Sequence, residues 1–442
     1  MDNIYCDALP GRGTPTTAVR VARGRTPLLP TAPTTTNFGD MYAVDDAPDA
    51  AAVYVHGRRA HAPAARLLCV NMVFTAVPHS GGAHRCRPCW RGTSSPLAFI
   101  PLPRRPEQAS DDDNMDMETT AAAGGLVCVT GGSGFIGSWL VRFLLDRGYA
   151  VRATVKNIQD EGETKHLRAL DGAASRLQLL QMDLLDPASV RAAVEGARGV
   201  FHLASPVTLQ LPQDPEKELL EPAVKGTLNV VRAARECGAG RVVLMSSKAA
   251  MAAPDPDWPA GKVIDEDCWA DVELLRKLQL WYNVSKTLAE KAAWDFSARE
   301  EGLQLVVINP GMVLGPFLTP SVNASLHWFL QLLQGQRMSL DLYMGCVDVR
   351  DVASSLIALY ESPSARGRHL CMESVERLVD FTNNVADLFP ELPVQRIKED
   401  RQGWVVRAKD PSRKLMDLGV RFTPFDVTIR DTVDCFRSKG LI

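Results

Sequence analysis

The chain has 442 residues, and its 49 Lys and Arg against 52 Asp and Glu leave a formal charge of −3. With 46% hydrophobic and 23% charged residues it reads as a globular protein, which excludes both a nucleic-acid binder driven by excess positive charge and a wholly disordered chain. No run of about 20 uncharged apolar residues is present, so no membrane helix is expected. Ten scattered cysteines point to reduced thiols in the cytoplasm rather than a disulfide scaffold.

Up to Gly124 there is no lysine, while the same stretch holds 12 arginines and 13 of the 29 prolines. Its apolar residues follow neither a helical nor a strand period. Residues 1–120 are therefore expected to be a disordered extension, ending in an acidic linker around Asp111 to Glu118, with Met115 or Met117 as an alternative start. Cys86 and Cys89 have C-x-x-C spacing and Cys69 lies upstream, but no second pair follows, so no metal site is expected. The first forty residues have the Arg and Thr content of a transit peptide but lack its serines.

From Leu126 the pattern changes. Leu126–Thr130 is a buried-strand run, Ser138–Leu145 has a helical apolar face that stops at Gly148, and Tyr149–Val155 is the next strand. Strand-like runs recur at Leu177–Met182, Gly199–Leu203, Arg241–Met245 and Leu303–Ile308, with helical stretches between. This alternation predicts an α/β fold, a doubly wound parallel sheet with a smaller C-terminal substrate-binding portion after about residue 310. Residues 121–442 are taken as one unit.

Between the first strand and helix stand Gly131, Gly134 and Gly137, with Phe135 and Ile136 at the helix start. The first glycine allows the tight turn, the second lets backbone approach a pyrophosphate, and the third lets helix and strand pack closely. The free N–H groups of the helix start favour an anion. The second strand ends in Val155-Lys156-Asn157 after Arg152, with no acid to bind ribose hydroxyls. Lys156 first, and Arg152 second, are the candidates for a 2′-phosphate, so NADP(H) is the expected cofactor. Asp183, with Leu184 beside it, ends the third strand, either to meet the adenine or to cap a helix beside Asp186.

Tyr282 and Lys286 are four apart in a helical stretch, so phenol and ammonium share a face. A cation is expected to lower the phenol pKa from near 10 and make Tyr282 a usable acid; Lys286 can also hold ribose hydroxyls. Ser246 and Ser247 close the strand Arg241–Met245 at its carboxyl edge, where ligands of such sheets lie.

With these motifs in order, the chain from about Leu126 onward resembles the extended short-chain dehydrogenase/reductases, and within them the plant cinnamoyl-CoA reductase and dihydroflavonol reductase group. The matching segments are VCVTGGSGFIGSWL, FHLASPV, VSKTLAEKAAW, VINPGMVLGP, VNASL, VDVRDVA, GRHLC and DLG. The resemblance implies Ser247, Tyr282 and Lys286 as the catalytic trio. It also puts Leu203, Ala204, Pro310, Gly311, Met312, Val313 and Ser325 on cofactor-lining positions. Cinnamoyl-CoA reductases proper carry N-W-Y-C-Y-G-K around the tyrosine, where this chain reads Leu280-Trp281-Tyr282-Asn283-Val284-Ser285-Lys286. The family's CoA-facing His and Lys fall on Trp328 and Gln331, with His327 one residue early. Ala252 stands where dihydroflavonol reductases have Asn or Asp, and Lys248 is unusual for both groups.

The expected partner is a small-molecule carbonyl substrate, with no nucleic acid and no membrane; the oligomeric state is not indicated. Val207, Trp281, Phe317, Leu318, Trp328 and Phe329 are expected to line an apolar pocket suited to a phenylpropanoid-type aldehyde. Arg337, Arg350 and Arg377 are the remaining cations that could meet a CoA thioester, with Arg350 better suited to bracing the VDVRDVA turn. A nucleotide-sugar epimerase and a non-catalytic NADP-binding protein are the rival classes.

Overall fold

The computed structural model describes residues 125–206, 212–252, 263–337, 343–398 and 410–442. The N-terminal extension, with its C-x-x-C pair and transit-like composition, lies outside the described residues, as does Val207.

Seven parallel strands form the main sheet: β1 (Leu126–Thr130), β2 (Ala150–Val155), β3 (Leu177–Gln181), β4 (Gly199–His202), β5 (Arg241–Met245), β6 (Gln304–Pro310) and β9 (Gly367–Cys371). Their order is β3-β2-β1-β4-β5-β6-β9. The chain thus winds outward from β1 in one direction, then returns to start again at β4. The crevice between the carboxyl ends of β1 and β4 is where such a sheet receives ligands.

Buried on both faces, the central strands need apolar residues at every position. In β1, Val127 and Val129 join one core cluster and Cys128 the other. In β5 and β6, Val243, Val306 and Ile308 point to the first face, while Val242, Leu244, Leu305 and Val307 point to the second. This period of two explains runs that lack polar residues altogether.

The helices that cover the first face include α1 (Phe135–Asp146) and α9 (Val349–Glu361), which pack on each other. The second carries α4 (Pro187–Val194), α5 (Glu221–Glu236) and α7 (Trp281–Ser297). A small sheet of β7 (Met312–Leu314), β8 (Tyr343–Asp348) and β10 (Ser374–Arg377), ordered β10-β8-β7, forms the C-terminal portion with α8 (Ala324–Leu333), α10 (Leu378–Leu388) and α12 (Phe425–Ser438). The sequence boundary near 310 is not a clean cut, because β9 and α9 return to the main sheet.

Phe317, Trp328 and Phe329, expected to line a pocket, are buried among other rings. Phe329 is fully buried with its ring 6.2 Å from Phe381 and 6.3 Å from Phe436, Trp328 lies 5.9 Å from Phe381, and Phe317 lies 5.8 Å from Phe436. These rings are the core of the C-terminal portion, and Leu318 packs against it. Trp281 packs on a separate cluster around Leu275 and Leu280. Arg350 braces its turn as expected, pairing with the buried Asp348 at 2.7 Å and with Asp431 at 2.6 Å. Among the described residues no helix is long and apolar enough to cross a membrane.

Candidate active site

The glycine turn follows β1. Gly131 has φ +69, the left-handed region, and its N–H donates to Thr154 Oγ1 at 3.1 Å. A Cβ on Gly131 would press on the Ala204 backbone at 3.0 Å, one on Gly132 would meet Ala153 Cβ at 2.7 Å, and one on Gly137 would overlap the Gly131 carbonyl. Gly132 thus lets the turn sit on β2, and Gly137 lets α1 close on the turn that ends β1. Gly134 differs from these. Its backbone is ordinary for any residue, with φ −73 and ψ 172, and it is exposed. An added Cβ there would touch only the Gly131 carbonyl, at 3.3 Å. Apart from that one close contact, the side chain that Gly134 lacks would project into open space. No side chain caps α1 and no acid stands in its first turn, so the N–H groups at Phe135 and Ile136 remain suited to an anion. The cradle fits a dinucleotide pyrophosphate.

Thr130 ties the turn to β4. Its hydroxyl accepts from the N–H of Leu203 at 3.1 Å and of Ala204 at 3.0 Å, and bonds His202 Nδ1 at 2.8 Å. His202 Nε2 meets Thr227 at 3.2 Å, and burial pushes this imidazole down to about 3, so it stays neutral.

The other cofactor candidates divide. Asp183 lies exposed at the carboxyl edge and accepts from Leu185 N–H at 2.9 Å, while Asp186 is the residue that caps α4. Leu184 packs on Gly226 of α5. Pro310 to Val313 run from the end of β6 into β7, and Gly311 is required because a Cβ would overlap the Gly345 carbonyl. Ser325 stands half-buried in the first turn of α8, behind the Asn323 cap. Arg152 is the exception to the expected set. It sits mid-strand, and its guanidinium binds the carbonyls of Ala193 at 3.1 Å and Glu195 at 2.6 Å at the end of α4, with Gln178 at 2.8 Å. Its charge is committed to a helix C-terminus.

Lys156 does lie at the end of β2, exposed. The structure brings there an acid that the local sequence lacks. Glu163, two residues into α2 (Glu161–Arg168), accepts from Lys156 N–H at 2.7 Å, Asn157 N–H at 3.4 Å and the Ser133 hydroxyl at 3.5 Å.

On the far side of the crevice, Ser247 follows β5, and its oxygen accepts from Ala249 N–H at 3.1 Å. Tyr282 lies in the first turn of α7, with 37% of its surface exposed, and Ser247 acts on its phenol. Gln279, left-handed at φ +56, turns the chain from α6 (Val272–Lys277) into α7. Burial pushes the Tyr282 phenol above its usual value and Ser247 offsets part of this. The expectation that Lys286 lowers it is not met: Lys286 Nζ lies 5.9 Å from the ring centre, and burial brings this ammonium itself down to about 8.

A residue the sequence reading missed acts on Lys286 through its charge. Glu290, one further turn along α7 and 1% exposed, accepts from Ser246 at 2.6 Å, Asn309 at 2.9 Å and Arg368 Nε at 2.6 Å. Its charge opposes the loss of the Lys286 proton. A small cavity beside it is lined by His202, Thr227, Ser246, Lys286 and Glu290. The four-residue spacing of Tyr282, Lys286 and Glu290 was the available signal. Among the described residues no group of three or more His, Cys, Asp or Glu side chains is placed to hold a metal.

A sequence model described as the NAD dependent epimerase/dehydratase family matches residues 127–370. Cinnamoyl-CoA reductase 1 of Petunia hybrida is 44% identical over 322 residues, 72% of this chain and 94% of the relative. Vestitone reductase from alfalfa superposes with a TM-score of 0.62 at 31% identity, covering 72% of this chain and 99% of that one. Gre2 from Candida albicans, solved in complex with NADPH, gives a TM-score of 0.62 at 29% identity over 71% of this chain and 99% of its own.

Proposed function

The chain belongs to the NAD dependent epimerase/dehydratase family of extended short-chain dehydrogenases and reductases, and on that footing we propose that it is an NADPH-dependent reductase of a hydrophobic phenylpropanoid-type aldehyde. The observation that carries the reading is the convergence of Ser247, which acts on the Tyr282 phenol, with Lys286 one helical turn along α7, at the carboxyl edge that also holds the glycine turn.

A bound nicotinamide dinucleotide supplies the hydride. The turn from Gly131 to Gly137, the Leu203–Ala204 backbone, Asp183, Lys156, Lys286 and the Pro310–Val313 segment are the groups that would hold it. The raised Tyr282 phenol keeps its proton at neutral pH and gives it to the carbonyl oxygen as charge develops there. Ser247 donates to the same oxygen and fixes its position. Lys286, at about 8, exchanges protons near neutral pH and returns one to the phenol.

For the substrate, α8 supports the aldehyde. Trp328 is uncharged and buried on Phe381, Gln331 is neutral, and burial lowers the His327 pKa, so α8 carries no positive charge at pH 7 for the phosphates of CoA. The second reading, reduction of a hydroxycinnamoyl-CoA thioester, is favoured by the relative named cinnamoyl-CoA reductase. Kinetics with NADPH on coniferaldehyde, phenylacetaldehyde and feruloyl-CoA separate the two. The aldehydes should have the higher kcat/KM; a thioester value about tenfold above both, a transition-state difference of about 1.4 kcal/mol, overturns the aldehyde assignment.

A further inference from the structure

We infer that Glu163 sets the choice between phosphorylated and unphosphorylated dinucleotide, and that it makes this chain accept NADH alongside NADPH. The inference rests on the reductase reading above and deepens it.

With the pyrophosphate over Gly134, the adenosine ribose of a dinucleotide reaches the end of β2. Three donors converge there: the N–H groups of Lys156 and Asn157 and the Ser133 hydroxyl. With the exposed Lys156 ammonium alongside, they are the groups a 2′-phosphate would claim. One carboxylate oxygen of Glu163 already takes all three. The position on α2 is fixed by the Asp160 cap, which accepts from Gly162 N–H at 2.7 Å, and by Thr164 and Leu167, both fully buried.

Two consequences follow from the charge. A 2′-phosphate must displace Glu163 from these donors or bind beside it, and at such range two anions repel even in a high effective dielectric. A free 2′-hydroxyl instead meets an acceptor, the arrangement that selects NAD in dinucleotide sites generally. Lys156 attracts the phosphate while Glu163 opposes it. The two nucleotides are left within about tenfold of each other in affinity, since partial exposure and salt limit each contribution.

Fluorescence titration of the full chain with NADPH and with NADH, on wild type, Glu163→Gln and Lys156→Met, tests this. Glutamine keeps the acceptor oxygen and removes the charge, so the fold is preserved. Glu163→Gln should tighten NADPH about tenfold and leave NADH unchanged or weaker. Lys156→Met should weaken NADPH alone. If Glu163→Gln leaves the ratio of NADPH to NADH affinity where it was, or wild type prefers NADPH by more than about tenfold, the inference is overturned while the reductase reading stands. A wild type that binds neither nucleotide overturns both.

Discussion

The two sheets of this molecule use similar residues to opposite ends. In the main sheet, apolar strands are a platform, and polar groups gather at their carboxyl ends: Thr130 and His202 are the last residues of β1 and β4, Asn309 is the last but one of β6, and Ser247 stands two residues past β5. In the C-terminal portion, the rings of Phe317, Trp328, Phe329, Phe381 and Phe436 fill the space between helices and strands. A parallel strand tells where its end points, so chemistry there can be placed in advance. An aromatic residue on a helix carries no such direction, and it serves a core or a pocket equally well.

Substitutions that separate the two roles sharpen this contrast. The largest effect belongs to the platform edge. Tyr282→Phe should cut turnover by about 10²–10⁴-fold while nucleotide affinity stays within a few-fold of wild type. Turnover near the wild-type rate removes Tyr282 from the reaction. Next comes the aromatic core. Phe329→Ala should cost about 3–5 kcal/mol of stability, read as a lowered denaturation midpoint, with KM of the remaining folded enzyme unchanged. A raised KM at unchanged stability would return Phe329 to the substrate pocket.

The smallest effect is a matter of pH. Lys286 titrates at about 8 in the folded protein against 10.5 ordinarily. The unfolded chain therefore binds more protons between these values, so the penalty of burying Lys286 is full below pH 8 and is relieved as pH rises towards 10.5. Turnover should fall as pH passes about 8, while this group adds stability over the same interval. A rate that holds level to the phenol's range, above 10, assigns the limb to Tyr282 alone.

Much of the main sheet could be read from sequence because its signals are local. The strand Leu126–Thr130 and the strand Arg241–Met245 have the bounds their apolar runs suggest, and Tyr282 and Lys286 share a helix face as their spacing requires. The errors came from long-range partners. Nothing near Arg152 shows that α4 ends beside it, forty residues on. Nothing after Val155 shows that Glu163 folds back onto the strand end. Glu290 and Arg368 are 78 residues apart and form a pair only once β9 is in place. The phenol's direction was misjudged for a related reason, since a spacing of four gives a shared face but not the degree of burial.

The Glu290–Arg368 pair also orders events in time. Synthesis runs from the N-terminus, so α7 leaves the ribosome well before residue 368 exists. Until β9 docks beside β6, a compact Glu290 would be an anion without its guanidinium, which costs about 3–5 kcal/mol. The nascent chain therefore gains by leaving α7 loosely seated. The helix that carries Tyr282 and Lys286 locks only when the last strand of the main sheet arrives, and a chain that stops short of it has no assembled site with which to turn over substrate.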